Sequence, residues 1–122
     1  TPTSVLGLTE VLQLETDAVG CARQRNGALS CWGATRSGLL GNGGAMGQPC
    51  GDWGSGGVFY CEPTPAPVAA LPAVTAVAVG ALVGCATTPD GALWCWGNNG
   101  NGGVGDGTMA DRSVPTRVVG LP

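Results

Sequence analysis

The sequence predicts an all-β protein built from two copies of one antiparallel, disulfide-stapled unit. Three observations carry this. Residues 20–33 return at 84–97 with nine of fourteen positions identical, and self-similarity at a fixed offset marks a repeat architecture. Each copy sets two cysteines ten residues apart around a turn signal. The chain has 23 glycines and 9 prolines among many aliphatic residues, which suits short strands joined by tight turns.

A second motif marks the phase. Pro2-Thr3-Ser4-Val5-Leu6-Gly7-Leu8 recurs as Pro65-Ala66-Pro67-Val68-Ala69-Ala70-Leu71 and as Pro115-Thr116-Arg117-Val118-Val119-Gly120-Leu121. The chain therefore divides into a first unit at 1–64, a second at 65–114, and the first strand of a third at 115–122. The first unit carries an insertion at 45–62.

The hairpins follow from turn chemistry. Thr88-Pro89-Asp90-Gly91-Ala92 suits a three-residue loop with Gly91 in the left-handed position. Closing it on a hydrogen-bonded Thr88–Ala92 pair makes Cys85 and Cys95 a non-hydrogen-bonded pair, where side chains approach closest. Arg25-Asn26-Gly27 does the same for Cys21 and Cys31. Cross-strand disulfides Cys21–Cys31 and Cys85–Cys95 are expected, and the remaining Cys50 and Cys61, both in the insertion, are paired with each other. Zinc is disfavoured, because the cysteine spacing is wide and histidine is absent. No Cys-x-x-Cys redox motif occurs.

Composition narrows the function. Five arginines, no lysine and eight acids leave a net charge of −3, which disfavours nucleic acid and anionic membranes. Residues 63–89 are uncharged, yet Pro65, Pro67, Pro72, Gly80 and Gly84 interrupt them, and the matching stretch of the first unit is polar. Val74, Val77 and Val79, beside Ala73 and Ala76, read as a buried strand and not a membrane span. Six cysteines in a small chain point to an oxidising compartment, so the protein is expected to be secreted, extracellular or at the cell surface. Thr1 in place of Met fits a processed or excised chain, with no signal peptide visible.

The run Gly84-Cys85-Ala86-Thr87-Thr88-Pro89-Asp90-Gly91-Ala92-Leu93-Trp94-Cys95-Trp96-Gly97-Asn98-Asn99, with Gly105-Asp106-Gly107-Thr108 after it, resembles the repeat of the regulator of chromosome condensation family. The cysteine-paired form is similar to its secreted bacterial branch. The resemblance implies β-propeller blades, usually seven of four strands each, so two blades make an incomplete propeller. It also implies functions such as nucleotide exchange on a small GTPase, chromatin binding or β-lactamase inhibition, none with a short signature in this chain. Two positions depart from the pattern. Gly20 and Gly84 stand where the family usually has His, and Gly38-Leu39-Leu40-Gly41 and Gly102-Gly103-Val104-Gly105 replace Gly-Gln-Leu-Gly.

The expected function is a structural or protein-binding repeat module, without catalysis or cofactor, that assembles with copies of itself or with further blades. The alternative is an inhibitor or regulator docking through blade loops. The insertion is the candidate recognition element, with Trp53, Phe59 and Tyr60 as partner-binding residues or, on the other reading, as a plug over an open edge. Pro115 to Leu121 could add as a strand to a neighbouring copy. Trp32, Trp94 and Trp96 are read as core. The carboxylates Asp52 with Glu62, and Asp106 with Asp111, are weak catalytic candidates because nothing in their spacing demands that chemistry. The Asn98 to Gly107 loop has too few acids for calcium.

Overall fold

The computed structural model describes residues 8, 10–16, 19–34, 38–43, 47–52, 58–69, 71–80 and 82–120. Nine strands form among them: β1 Val11–Thr16, β2 Val19–Gln24, β3 Leu29–Ala34, β4 Gln48–Asp52, β5 Val58–Pro67, β6 Ala76–Val79, β7 Val83–Thr87, β8 Leu93–Gly97 and β9 Arg112–Arg117. They make two antiparallel sheets, ordered β1-β2-β3-β5-β4 and β6-β7-β8-β9. No α-helix occurs among the described residues.

The two hairpins close as the turn residues dictate. Gly91 adopts φ 83° and Gly27 φ 85°. Thr88 N donates to Ala92 O at 3.1 Å and Gln24 N to Ala28 O at 2.9 Å. The Asp90 carboxylate accepts from the Thr88 hydroxyl and the Ala92 N–H, which fixes the second turn. Those two bonds, the hydroxyl first, hold the Asp90 carboxyl below its ordinary range. Register then sets Cys21 opposite Cys31 and Cys85 opposite Cys95. All three expected disulfides are present, and the two hairpin bridges each span 4.1 Å between Cα atoms. A bridge closing about ten residues contributes roughly 2–3 kcal/mol through the unfolded chain.

The Pro-x-x-Val motif lies elsewhere than its phase suggests. Residues 115–117 end β9, which pairs with β8 as the outer strand of the second sheet. Residues 65–67 likewise end β5, which pairs with β3 in the first sheet and crosses the expected boundary at 64/65. The expected first strand of a third unit is therefore the closing strand of the second sheet. Sequence phase marks recurrence, whereas hydrogen bonding decides which sheet a strand completes.

The same strands are poor templates for a further strand. Val68 N donates to Leu29 O, and Val118 N to Leu93 O. Alternation turns the backbone nitrogens of Pro67 and Pro65, and of Pro115, toward the open edge, where proline has no N–H to offer. Strand addition from 115–121 onto a neighbour is disfavoured on this geometry.

Each sheet has two faces. One carries the cystine of the hairpin, the other its tryptophan. The cystine face of the first sheet packs on the tryptophan face of the second. The joint buries Cys21 and Cys31 completely, with Leu29, Leu39, Leu40, Val68, Val74, Val77, Ala86 and Trp96. Trp96 is wholly buried and donates through Nε1 to Leu39 O at 2.8 Å. Val74 and Val77 are buried as expected, while Ala73 and Ala76 are exposed.

The ring of Trp96 lies across Gly84 on the paired strand. A Cβ at Gly84 would meet that ring at 2.8 Å, and one at Gly20 would meet Trp32 at 2.6 Å. Gly20 and Gly84 thus make room for a cross-strand indole. This accounts physically for glycine at both positions.

Gln13 adds a polar clamp. Its side-chain amide donates to Val77 O at 2.6 Å and accepts from Val77 N at 3.1 Å, joining β1 to β6 as a backbone strand would. Trp96→Ala is expected to cost about 3–5 kcal/mol, the range for an emptied aromatic site. Gly84→Val should also lower Tm strongly by displacing the indole. Thermal unfolding followed by circular dichroism checks both.

Candidate protein-binding surfaces

The insertion is a hairpin and not a free loop. Its strand β4 pairs along the first half of β5 and adds a fifth strand to the edge of the first sheet. Cys50 sits at the bulge between Pro49 and Gly51 and bridges to Cys61 on β5. Covering part of an open edge is the plugging role weighed in the sequence. Of the three proposed recognition residues, Tyr60 is half-buried opposite Pro49. Phe59 pairs with Gly51 through its backbone, and its side chain lies outside the described residues, as does Trp53. The structure brings Phe59 and Tyr60 onto one strand.

The carboxylates of the 98–112 segment are structural. Asn99 is completely buried and acts as the hub. Its side-chain amide donates to Asp106 Oδ1 at 3.1 Å and to Thr108 O at 3.0 Å, and accepts from Val104 N at 3.0 Å. Its backbone N–H donates to Asp111 Oδ1 at 2.8 Å. Asp106 also accepts from Thr108 Oγ1 at 2.7 Å and pairs with Arg112 Nε at 2.5 Å. The Thr108 hydroxyl foremost, with the Thr108 N–H, Arg112 and Asn99, holds the Asp106 carboxyl well below the ordinary aspartate range. A carboxylate so held is a poor proton donor or acceptor near neutral pH. Sequence reading took this segment as turn residues and missed the hub. The available signal was an Asn followed by Asp, Thr and Arg within fourteen residues.

Trp94 was expected in the core with Trp32 and Trp96. It is half-buried instead, with Arg117 5.7 Å from its ring centroid and its Nε1 donating to the Thr88 hydroxyl at 3.3 Å. Trp32 is also only half-buried, and among the described residues no second sheet lies against its face. Of the three indoles, Trp96 alone is enclosed, since it alone sits in the joint.

The outer sheet faces carry apolar side chains. The tryptophan face of the first sheet exposes Leu14 at 55% beside the half-buried Trp32. In register, Leu14 lies opposite Ala22 as Val77 lies opposite Ala86, so the two are equivalent. Val77 in the joint is only 3% exposed. A groove of about 140 Å³ on β6, β7 and β8 is lined by Ala76, Ala78, Cys85, Thr87 and Leu93, with Val77 and Ala86 between them. A cleft of about 250 Å³ opens at one end of the joint, between residues 26–29 and residues 67, 68 and 71–73, and no ionisable side chain lines it. Among the described residues no group of acids or cysteines is placed to hold a metal ion.

Comparison with known proteins gives one family. The regulator of chromosome condensation (RCC1) repeat matches residues 74–102 and 90–122. The chain is 28% identical over 124 residues to the RCC1 domain-containing protein RUG3, mitochondrial, of Arabidopsis thaliana, covering 97% of this chain and 25% of that one. Its fold is similar to yeast RCC1 (Prp20) bound to Kap60, with TM-score 0.76, 21% identity, and coverage of 99% and 26%. It is also similar to Prp20p of Saccharomyces cerevisiae, at TM-score 0.72 and 21% identity, covering 99% of this chain and 27% of that one. Human WBSCR16 gives TM-score 0.71 and 23% identity, with coverage of 98% and 29%. The chain spans about a quarter of the length of these relatives. The structural likenesses establish the fold, an RCC1-type β-propeller architecture in incomplete form.

The Asp106 hub yields a pH prediction. A carboxyl titrating lower in the folded than in the unfolded chain adds stability above the unfolded value and loses it as pH falls toward the folded one. Asp106→Asn should therefore lower Tm at neutral pH. The gap to the parent should close progressively below about pH 4. A gap that stays constant from neutral to acid pH would count against the hub.

Proposed function

We propose that this RCC1-like repeat module is a non-catalytic, protein-binding piece of a larger β assembly. Its binding surfaces are the two outer sheet faces, covered by further blades or by copies of the chain. One observation carries the reading: the internal joint buries Val77 to 3% exposure, while the equivalent Leu14 stands 55% exposed at the end. Sheet faces of repeat proteins are stabilised by their neighbours, so an open apolar face calls for one. Binding of proteins is also what the similar structures are described by, since Prp20 is seen with Kap60 and was examined with Gsp1p and histones.

Three disulfides support placing the module in an oxidising setting, secreted or at the cell surface. A second reading, an inhibitor or regulator docking through loops, is favoured by the edge hairpin. There β4 presents Gln48, Pro49, Cys50 and Gly51 exposed on a disulfide-held strand.

The test compares the chain with Leu14→Glu/Ala78→Glu by light scattering and by binding of an apolar-sensitive dye. Both positions are exposed, so folding should survive. The reading expects either an oligomer or a dye-binding monomer in the parent, abolished or dimmed in the variant. A parent that is monomeric and binds no dye overturns it. An oligomer indifferent to both substitutions moves the binding surface to the edge hairpin and supports the second reading.

A further inference from the structure

Four Asn-Gly steps punctuate the chain, at 26–27, 42–43, 99–100 and 101–102. An asparagine before glycine is prone to imide formation. Glycine has no side chain to shield its backbone nitrogen from the preceding carboxamide, and it tolerates the conformations that bring the two together. In an unfolded chain the four steps are chemically alike. The fold makes them unlike.

The glycine nitrogens do not separate them. Gly27, Gly43 and Gly102 each donate to a backbone carbonyl at 2.9 Å, and Gly100 donates to Asn98 Oδ1 at 3.0 Å. Reaction at any step needs one such bond to open. The carboxamides do separate them. Asn99 is completely buried, with both amide atoms bonded to Asp106, Thr108 and Val104. Asn26 is exposed, but its Oδ1 accepts the Ala28 N–H at 3.0 Å, which fixes the side chain within its turn. Asn42 is half-buried and engaged. Asn101, in the connection between β8 and β9, is exposed, and among the described residues nothing holds its carboxamide.

We propose that Asn101 is a site of spontaneous deamidation, the one Asn-Gly step whose carboxamide the fold leaves free to react. Hydroxide takes the Gly102 amide proton, and the nitrogen attacks Asn101 Cγ. The N–Cγ bond forms, the Cγ–Nδ2 bond breaks, and ammonia leaves with a proton from water. Water then opens the cyclic imide. Breaking the new N–Cγ bond gives aspartate on a normal backbone. Breaking the bond to the α-carbonyl gives isoaspartate, with an extra methylene in the main chain. The net change is water in and ammonia out, and one negative charge gained.

The position gives the product a consequence. Gly102 N donates to the carbonyl of Asn99, the hub residue, and Gly102 O accepts from Gly105 N. An isoaspartate at 101 lengthens the backbone immediately before those bonds. This inference is independent of what covers the sheet faces.

The test holds the folded 122-residue chain, disulfides intact, at mildly alkaline pH. Peptide mapping by mass spectrometry follows each step, with fragmentation that tells isoaspartate from aspartate. The reduced and denatured chain runs in parallel as the reference for sequence effects. In the folded protein Asn101 should convert about two- to tenfold faster than Asn26, the range that one ordinary hydrogen bond supplies. Asn99 should remain intact while the protein is folded, and the four rates should converge in the denatured chain. Asn101→Gln, at an exposed position without side-chain partners, should fold with unchanged Tm and remove the fastest conversion. Conversion of Asn26 or Asn42 as fast as Asn101 in the folded protein overturns the assignment. So does a folded protein in which all four steps stay intact while the denatured chain reacts.

Discussion

The structure depends on one indole. Trp96 crosses from the second sheet into the first, wholly buried, with its N–H on the Leu39 carbonyl. It reaches that place only because Gly84 beneath it has no side chain. Around it gather the Cys21–Cys31 bridge and the aliphatic residues of both sheets. A buried indole with an unbonded N–H would forfeit much of its packing gain, so position and acceptor are coupled. The segment bearing Leu39 must therefore lie over the second sheet, and its other contacts follow. Gly43 N donates to Ser113 O, and Gly38 packs against the backbone of Arg112 and Ser113.

Smaller devices hold each sheet together before the sheets meet. Tight turns set the hairpin register, and register brings the cysteines together. The bridges then remove unfolded-state freedom from short segments of a chain whose core is small. The edges are managed by different means. The first sheet covers half of β5 with β4, and prolines of β5 and β9 face away from the strands they pair with.

The two ends of the chain are unlike although the units repeat. Gln13 clamps the joint from one side, while Ala76 and Ala78 leave the corresponding side of the second sheet shallow. The Asn99 hub exists in the second unit, where Asp106, Thr108, Asp111 and Arg112 surround it. Such departures from the repeat distinguish the two units chemically.

Much of this was legible in the residues. Both hairpins, their two bridges and the burial of Val74 and Val77 follow from turn chemistry and alternation, because contacts within about ten residues are governed by local backbone geometry, and Cys50–Cys61 followed as the remaining pair. The candidate site was less legible. Edge pairing by β4 leaves no sign in the spacing of Cys50 and Cys61, and the hub around Asn99 looks like an ordinary run of turn residues. Taken alone, the sequence determined the unit: its strands, its register and its cystines. Tertiary structure decided which sheet the Pro65 and Pro115 segments complete, and which face of each sheet is buried. It also decided which of three tryptophans became the core. Those outcomes depend on a second sheet arriving some sixty residues later in the chain, and only packing between sheets chooses among faces that are locally equivalent.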